Sequence, residues 1–199
     1  MYRNCIKRIL DILIALLIII VGAIPMLIIA IEIKIESRGP AIFKQERLGK
    51  DAKVYTMYKF RSMKQDSEHA GLGVYSNSDD PRLTKVGKFL RATSLDELPQ
   101  AFNMLLGDMS LIGPRPPLTY HPWPVEEYTD EQLHMFDVRP GLTGWAQVHG
   151  RRTVEWNERI KMNIWYAEHV SFLLDLKIFF MSFLKVASAK DNDNTGATI

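Results

Sequence analysis

The polarity of the chain changes abruptly near its start. Residues 12–31 are twenty positions without a charge, and no later stretch is apolar for so long. Twenty residues of helix rise about 30 Å, the thickness of a bilayer's hydrocarbon core. A membrane segment is therefore expected, with Gly22 and Pro25 inside it. One reading is a spanning helix, since such helices tolerate proline. A cleaved signal peptide fits less well, because the run is too long and no small-x-small site precedes Glu32 and Lys34. The reading that the flanks favour is a re-entrant helix–break–helix, dipping into the membrane and turning back at Pro25. Proline removes one amide and clashes with the carbonyl four residues earlier. Arg3, Lys7 and Arg8 precede the run, and Lys34, Arg38, Lys44, Arg47, Lys50 and Lys53 follow it. The positive-inside rule then asks both ends to stay cytoplasmic.

After this segment the periodicity changes. Residues 41–63 read as short strands around a turn at Gly49, Lys50 and Asp51, with residues 54–60 rich in β-formers. Residues 65–80 are polar and read as loop, and helical spacing returns over 83–91. Gly113-Pro114-Arg115-Pro116-Pro117 is held extended by its prolines. Residues 125–136 fit a polar helix, Arg139-Pro140-Gly141 and Gly144 mark loop, and helices are expected over 154–169 and 171–189. The last helix is apolar but interrupted by Asp175, Lys177 and Lys185, a pattern that suits a helix lying in the membrane plane or packed in a core. The expected architecture is α+β: a membrane hairpin (residues 1–38), a small, mostly helical catalytic domain with one β-hairpin and interfacial helices (39–188), and a polar tail (189–199).

Composition narrows the function. A net charge of +2 over 199 residues argues against a nucleic-acid binder, while leaving room for local basic patches that face phosphates or anionic lipid. Cys5 is the only cysteine, so no intramolecular disulfide can form, and a reducing compartment suits the chain. His69, His121, His134 and His169 have no metal-ligand spacing, and His149 reads as a surface or loop contact rather than a catalytic base.

The candidate chemistry lies in Ser-Leu-Asp-Glu-Leu-Pro-Gln at residues 94–100. Ser94 and Glu97 have capping-box spacing, which would make both purely structural. A helix that begins instead near Pro99, a favoured first position, leaves Asp96 and Glu97 free at a helix entry. Two adjacent carboxylates repel, which raises the proton affinity of one and divides their roles into nucleophile and proton carrier. A carboxylate that attacks phosphorus needs neighbouring positive charge. Arg91, Arg115, Arg139, Arg151 and Arg152 carry guanidinium forks that match phosphate oxygens, and Lys59 and Arg61 sit in a basic stretch. Arg115, between two prolines, has the most constrained backbone. A Mg²⁺ shared between carboxylate and substrate phosphates is the usual companion of such a set.

The order of these motifs carries more information than any one of them. Tyr58-Lys59-Phe60-Arg61-Ser62-Met63, Asp80-Pro81-Arg82, residues 94–100, Gly107-Asp108-Met109-Ser110-Leu111-Ile112-Gly113-Pro114-Arg115-Pro116 and Arg139-Pro140-Gly141-Leu142-Thr143-Gly144-Trp145-Ala146-Gln147-Val148 closely resemble the bacterial sugar transferase family, the small monotopic phosphoglycosyl transferases. The resemblance covers residues 1–188 and implies transfer of a phosphosugar from a UDP-sugar to undecaprenyl phosphate with release of UMP, the first membrane step of glycoconjugate biosynthesis. It implies a ping-pong route through an aspartyl intermediate on Asp96, which also holds Mg²⁺, with Glu97 as acid/base partner. It further implies phosphate contacts from Lys59, Arg61, Arg91, Arg115, Arg139 and Arg151, a re-entrant break at Pro25, and a site on the cytoplasmic face of the bacterial inner membrane. The expected partners are the UDP-sugar, the lipid phosphate and the bilayer, and apolar faces on the late helices leave room for a homodimer. The chain departs from the family pattern at Ile24, where many members have serine, and at His149, where asparagine is common. Other readings of the same residues are a membrane-bound Mg²⁺-dependent phosphohydrolase and a non-catalytic membrane scaffold.

Overall fold

In the computed structural model, which describes residues 1–65, 67, 80–150 and 154–187, a π-helical turn at Tyr2–Ile6 leads into one long helix, α1 (Lys7–Glu36). The helix runs through Pro25 as a single α-helical stretch, so the expected helix–break–helix does not appear as a gap in secondary structure. Proline takes away only its own amide, the one that would reach the carbonyl of Val21, and the turns on either side carry the helix on. The middle of α1 is open: Leu17, Ile20, Val21 and Ile24 are 61%, 73%, 69% and 71% exposed. By length and composition α1 can cross a membrane.

Both ends of α1 are tied to the rest of the chain. Glu36, its last residue, accepts hydrogen bonds from the amides of Lys85 (2.6 Å) and Val86 (3.0 Å) at the start of α2 (Lys85–Thr93). Near the other end the Arg8 guanidinium donates to the carbonyls of Met104 (2.5 Å) and Leu105 (3.0 Å) in the last turn of α3 (Gln100–Leu106). Each charge meets the helix pole that attracts it and satisfies groups the helix itself leaves unpaired. Apolar packing follows the same division. Ala15 is buried with Met57, Met104 and Met109, whereas Ile33 is buried with Phe60 and Leu90.

The expected hairpin forms from β1 (Ile42–Leu48) and β2 (Val54–Phe60), antiparallel with Ile42 opposite Phe60. Its turn passes through Lys50–Ala52, where Asp51 and Ala52 adopt positive φ. A second pairing corrects the loop expected around Arg139-Pro140-Gly141: β3 (Ser110–Ile112) runs parallel to β4 (Gly141–Thr143). Three residues per strand are too short for a periodic signal, and the glycines fail to mark it because they serve close approach. A Cβ on Gly141 would lie 2.0 Å from the Gly113 nitrogen, and one on Gly144 would lie 1.9 Å from the Gly113 oxygen.

The polar helix expected over 125–136 is replaced by a 3₁₀ turn (Val125–Glu127), a short helix α4 (Asp130–Leu133) and another 3₁₀ turn (His134–Phe136). The reason is local: Thr129 and Gln132 form a capping box that starts a helix in mid-segment. The short α5 (Trp145–His149) is followed by α6 (Trp156–Glu168) and α7 (Phe172–Ala187), close to the two late helices expected. α7 buries Asp175 and Ile178 but exposes Leu173, Phe179, Phe180, Phe183 and Leu184. The expected tail at 189–199 and most of the 65–80 loop lie outside the described residues.

Candidate active site

The carboxylates at 96 and 97 sit on the link between α2 and α3. α2 stops at Thr93 because Ser94 turns left-handed (φ 58°, ψ 17°), and a 3₁₀ turn (Leu95–Glu97) carries the chain through Leu98 and Pro99 into α3. The Ser94 side chain caps nothing at this turn. Of the two alternatives left by the sequence, the structure is nearer the second: α3 begins at Gln100 with Pro99 at its N-cap, and Asp96 and Glu97 lie ahead of it.

Cations converge on the pair from three elements. Lys59 Nζ, on β2, lies 2.8 Å from Glu97 Oε1, and Arg115 Nη1, in the Pro-Arg-Pro stretch, lies 4.0 Å from the same oxygen. Arg91, from α2, contributes positive charge to Asp96 while its Nε donates to Ser62 Oγ at 2.9 Å. Arg115 is held where it is by its neighbours. Leu48 N donates to Pro117 O (3.1 Å), Arg47 Nη1 to Pro116 O (3.1 Å) and Gly141 N to Pro114 O (2.9 Å). Both prolines beside Arg115 are buried, while its own side chain remains 45% exposed. Arg47, Lys59, Glu97, Gln100, Arg115 and Leu142 line a shallow depression here.

Asp96 is 8% exposed, and its carboxylate accepts no hydrogen bond among the described residues. Burial raises its pKa above the ordinary carboxylate range, Lys59 opposes the rise, Glu97 adds to it, and Arg91 and Arg115 oppose it. A carboxylate in this state retains lone pairs for an electrophile or a hard cation. Among the described residues no group of three or more histidine, cysteine or acidic side chains is gathered. One or two carboxylates with the substrate's own phosphates is the set that Mg²⁺ accepts, so the residues fit that ion.

Other expected phosphate ligands are engaged elsewhere. Arg61 is buried and donates to Arg38 O (2.6 Å), Ser37 O (2.8 Å) and Ser37 Oγ (2.9 Å), closing the C-terminal end of α1. Arg139 Nε donates to Gly107 O at 2.8 Å, just past α3. Arg151 and Arg152 lie outside the described residues. His149 is exposed, and its Nδ1 is 2.9 Å from Trp145 O. Sequence reasoning missed Asn103, which is fully buried: Tyr58 N donates to its Oδ1 (3.0 Å) and its Nδ2 donates to Thr56 O (2.7 Å). Its signal was a single amide among apolar neighbours in Ala-Phe-Asn-Met-Leu-Leu. It ties α3, and so the acidic link, to the strand that bears Lys59.

The family model for bacterial sugar transferases matches residues 2–189 of this chain. The chain belongs to the bacterial sugar transferase family. By that membership the sugar transferase is an enzyme. It is 38% identical over 180 residues to the "Uncharacterized sugar transferase EpsL" of Bacillus subtilis, covering 90% of this chain and 86% of that protein. It is 41% identical over 188 residues to the "UDP-glucose:undecaprenyl-phosphate glucose-1-phosphate transferase" of Escherichia coli, covering 92% of this chain but 40% of that protein. With the "UDP-N-acetylgalactosamine-undecaprenyl-phosphate N-acetylgalactosaminephosphotransferase" of Aeromonas hydrophila it shares 44% identity over 181 residues, 88% of this chain and 42% of the relative. The sugar transferase thus spans most of the Bacillus relative and about two fifths of the other two.

Proposed function

We propose that this sugar transferase moves a phosphosugar from a UDP-sugar to undecaprenyl phosphate and releases UMP. The observation that carries the reading is the convergence of Lys59, Arg91 and Arg115 on Asp96 and Glu97 at a helix entry, with Asp96 buried and accepting no hydrogen bond among the described residues. In the first half-reaction an Asp96 carboxylate oxygen attacks the β-phosphorus of the donor. An Asp96 O–P bond forms, the bond between that phosphorus and the bridging oxygen breaks, and its electron pair leaves with UMP. In the second, an oxygen of undecaprenyl phosphate attacks the same phosphorus and the Asp96 O–P bond breaks, which restores the carboxylate. Glu97, tethered by Lys59, is the proton carrier. Lys59 and Arg115 bind the phosphate oxygens, and Arg91 steadies the charge on Asp96. Asp96 would hold Mg²⁺, which when bound offsets phosphate charge as a Lewis acid.

The membrane supplies the acceptor. Both ends of α1 are gripped by one folded body, through Arg8 and Glu36. A spanning helix carries its ends to opposite faces, about 30 Å apart. A re-entrant course through Pro25 leaves both ends with that body on the cytoplasmic face of the bacterial inner membrane. The exposed phenylalanines and leucines of α7 rest in the same interface, where a second copy of the chain would also find apolar surface.

The test is UMP release by detergent-purified protein with Mg²⁺ and a panel of UDP-sugars, with and without undecaprenyl phosphate. Turnover that depends on the lipid and disappears in Asp96→Asn is the expected result. Turnover indifferent to the lipid would instead mark a phosphohydrolase.

A further inference from the structure

Arg3, Arg8 and Arg139 take no part in the chemistry above, yet they gather in one place. Arg8 and Arg139 meet at Gly107, just past the end of α3. The Arg8 guanidinium donates to the carbonyls of Met104 and Leu105, and a Cβ on Gly107 would stand 3.3 Å from its Nη2. Arg139 Nε donates to Gly107 O at 2.8 Å. Arg3 joins from the π-helical turn, its Nη2 donating at 2.9 Å to the carbonyl of Asp137, two residues before Arg139. The negative pole of α3 explains part of this gathering. It leaves donors over: among the described residues neither Nη nitrogen of Arg139 makes a hydrogen bond, and neither is closed to solvent. The acids beside them face other groups, Asp137 lying 3.1 Å from His134 and Asp108 accepting from Asn103 at 3.2 Å.

The surroundings of these cations are apolar. Ile12 and Leu16 follow Arg8 by one and two turns along the same face of α1, where the uncharged run begins, and Leu16 is exposed. Leu106, next to a carbonyl that Arg8 holds, is exposed as well. Tyr2, beside Arg3, sets its ring edge-on to Phe172 at 5.8 Å, where the open apolar face of α7 starts. The arginines thus lie on the seam between α1 and α7, the two elements whose apolar faces are offered to lipid. Forked donors between apolar walls match a phosphate that carries acyl chains. α3, seven residues or about 10 Å long, separates this seam from the acidic link. A phosphate held here is therefore not the one transferred at Asp96. A zwitterionic headgroup brings its own cation, so the excess of guanidinium selects a headgroup of net negative charge.

We propose that Arg3, Arg8 and Arg139 bind the headgroup phosphate of an anionic phospholipid that is neither donor nor acceptor, and that this lipid joins α1, α3 and α7 at the membrane surface. The assignment rests on the membrane placement proposed above and is independent of the phosphosugar chemistry.

The test uses the full chain in detergent and reads the rise in unfolding temperature caused by phosphatidylglycerol, phosphatidylcholine or inorganic phosphate at equal concentration. For the wild type the expected rise with phosphatidylglycerol is roughly twice that with phosphatidylcholine or more, and it shrinks at about 1 M salt, where screening reaches within about 3 Å. Inorganic phosphate should give no rise. Arg139→Gln and Arg3→Gln should each lose roughly half of the phosphatidylglycerol excess or more, while Arg139→Lys, which keeps the charge, should retain part of it. The increment is compared rather than the starting temperature, because Arg139→Gln also gives up its bond to Gly107, and Arg3→Gln, at an exposed position, serves if that variant does not fold. Equal responses to the two lipids in the wild type overturn the proposal, as does an undiminished excess in both glutamine variants. A response to inorganic phosphate as large as that to phosphatidylglycerol overturns the lipid as occupant. Flotation separates the two levels: wild-type protein that stays off vesicles of phosphatidylcholine, with or without phosphatidylglycerol, sinks the membrane placement and this site with it. Protein that floats but responds equally to both lipids sinks this site alone.

Discussion

Asp96 shows how much of a site can be read from residue types and where that reading stops. Its neighbours in sequence announce phosphoryl chemistry, but only the structure reveals that burial lifts its pKa against the pull of Lys59. A carboxylate whose folded pKa is raised contributes stability that is complete below the unfolded value, about 4, and is lost as pH rises through the folded value. Asp96→Asn should therefore unfold at a higher temperature than wild type at neutral pH, and the difference should vanish as the pH falls towards 4. Thermal unfolding across that range measures it. Lys59 is the largest influence lowering the Asp96 pKa, so Lys59→Met should move the acidic limb of the pH–kcat/KM profile to higher pH. Arg61 and Arg139 mark the opposite case. Their motifs place them near the site in sequence, yet a long guanidinium arm can serve a helix end as readily as a phosphate, and these two donate to backbone carbonyls. Whether an amide such as Gln100 finds a partner depends on residues far away in sequence, which spacing does not encode.

Among the elements, those set by a strong local signal were legible. The hairpin of β1 and β2 formed where β-formers flank Gly-Lys-Asp, and α6 and α7 formed close to their expected bounds. The β3–β4 pair was not legible, because each strand has three residues and their hydrogen bonds cross 31 positions of chain from Ser110 to Gly141. Asn103 covers the outer edge of β2, bonding Thr56 O and Tyr58 N in place of a further strand. Asn103→Leu leaves both part-buried backbone groups without this partner, which costs about 1–3 kcal/mol. Chemical denaturation of the variant should report a loss of that size, and activity should fall with it because α3 carries the acidic link.

For the molecule as a whole, a long apolar helix was evident from twenty uncharged residues, but its attachment was not. Asp175 of α7 accepts from Lys7 Nζ (2.5 Å), Tyr2 OH (2.6 Å) and Tyr166 OH (2.6 Å), a partnership spanning 168 positions in the case of Lys7. Asp175→Ala leaves a largely buried ammonium without its carboxylate and should destabilise the protein by about 3–5 kcal/mol, measured by thermal unfolding in detergent. The outward face of α7 is open to a separate test. Phe180→Glu with Phe183→Glu leaves the Asp175 network intact and should reduce retention on vesicles in a flotation assay. Glu36 and Arg8 also have a consequence beyond anchorage. They fasten α2 to one end of the long helix and α3 to the other, so the acidic pair hangs between two supports whose separation follows the curvature of α1. Lipids with shorter or longer acyl chains impose different curvature on a helix with Pro25 near its middle. Under the re-entrant course proposed above, UMP release in vesicles is expected to change with acyl-chain length, and a rate indifferent to bilayer thickness would count against that course.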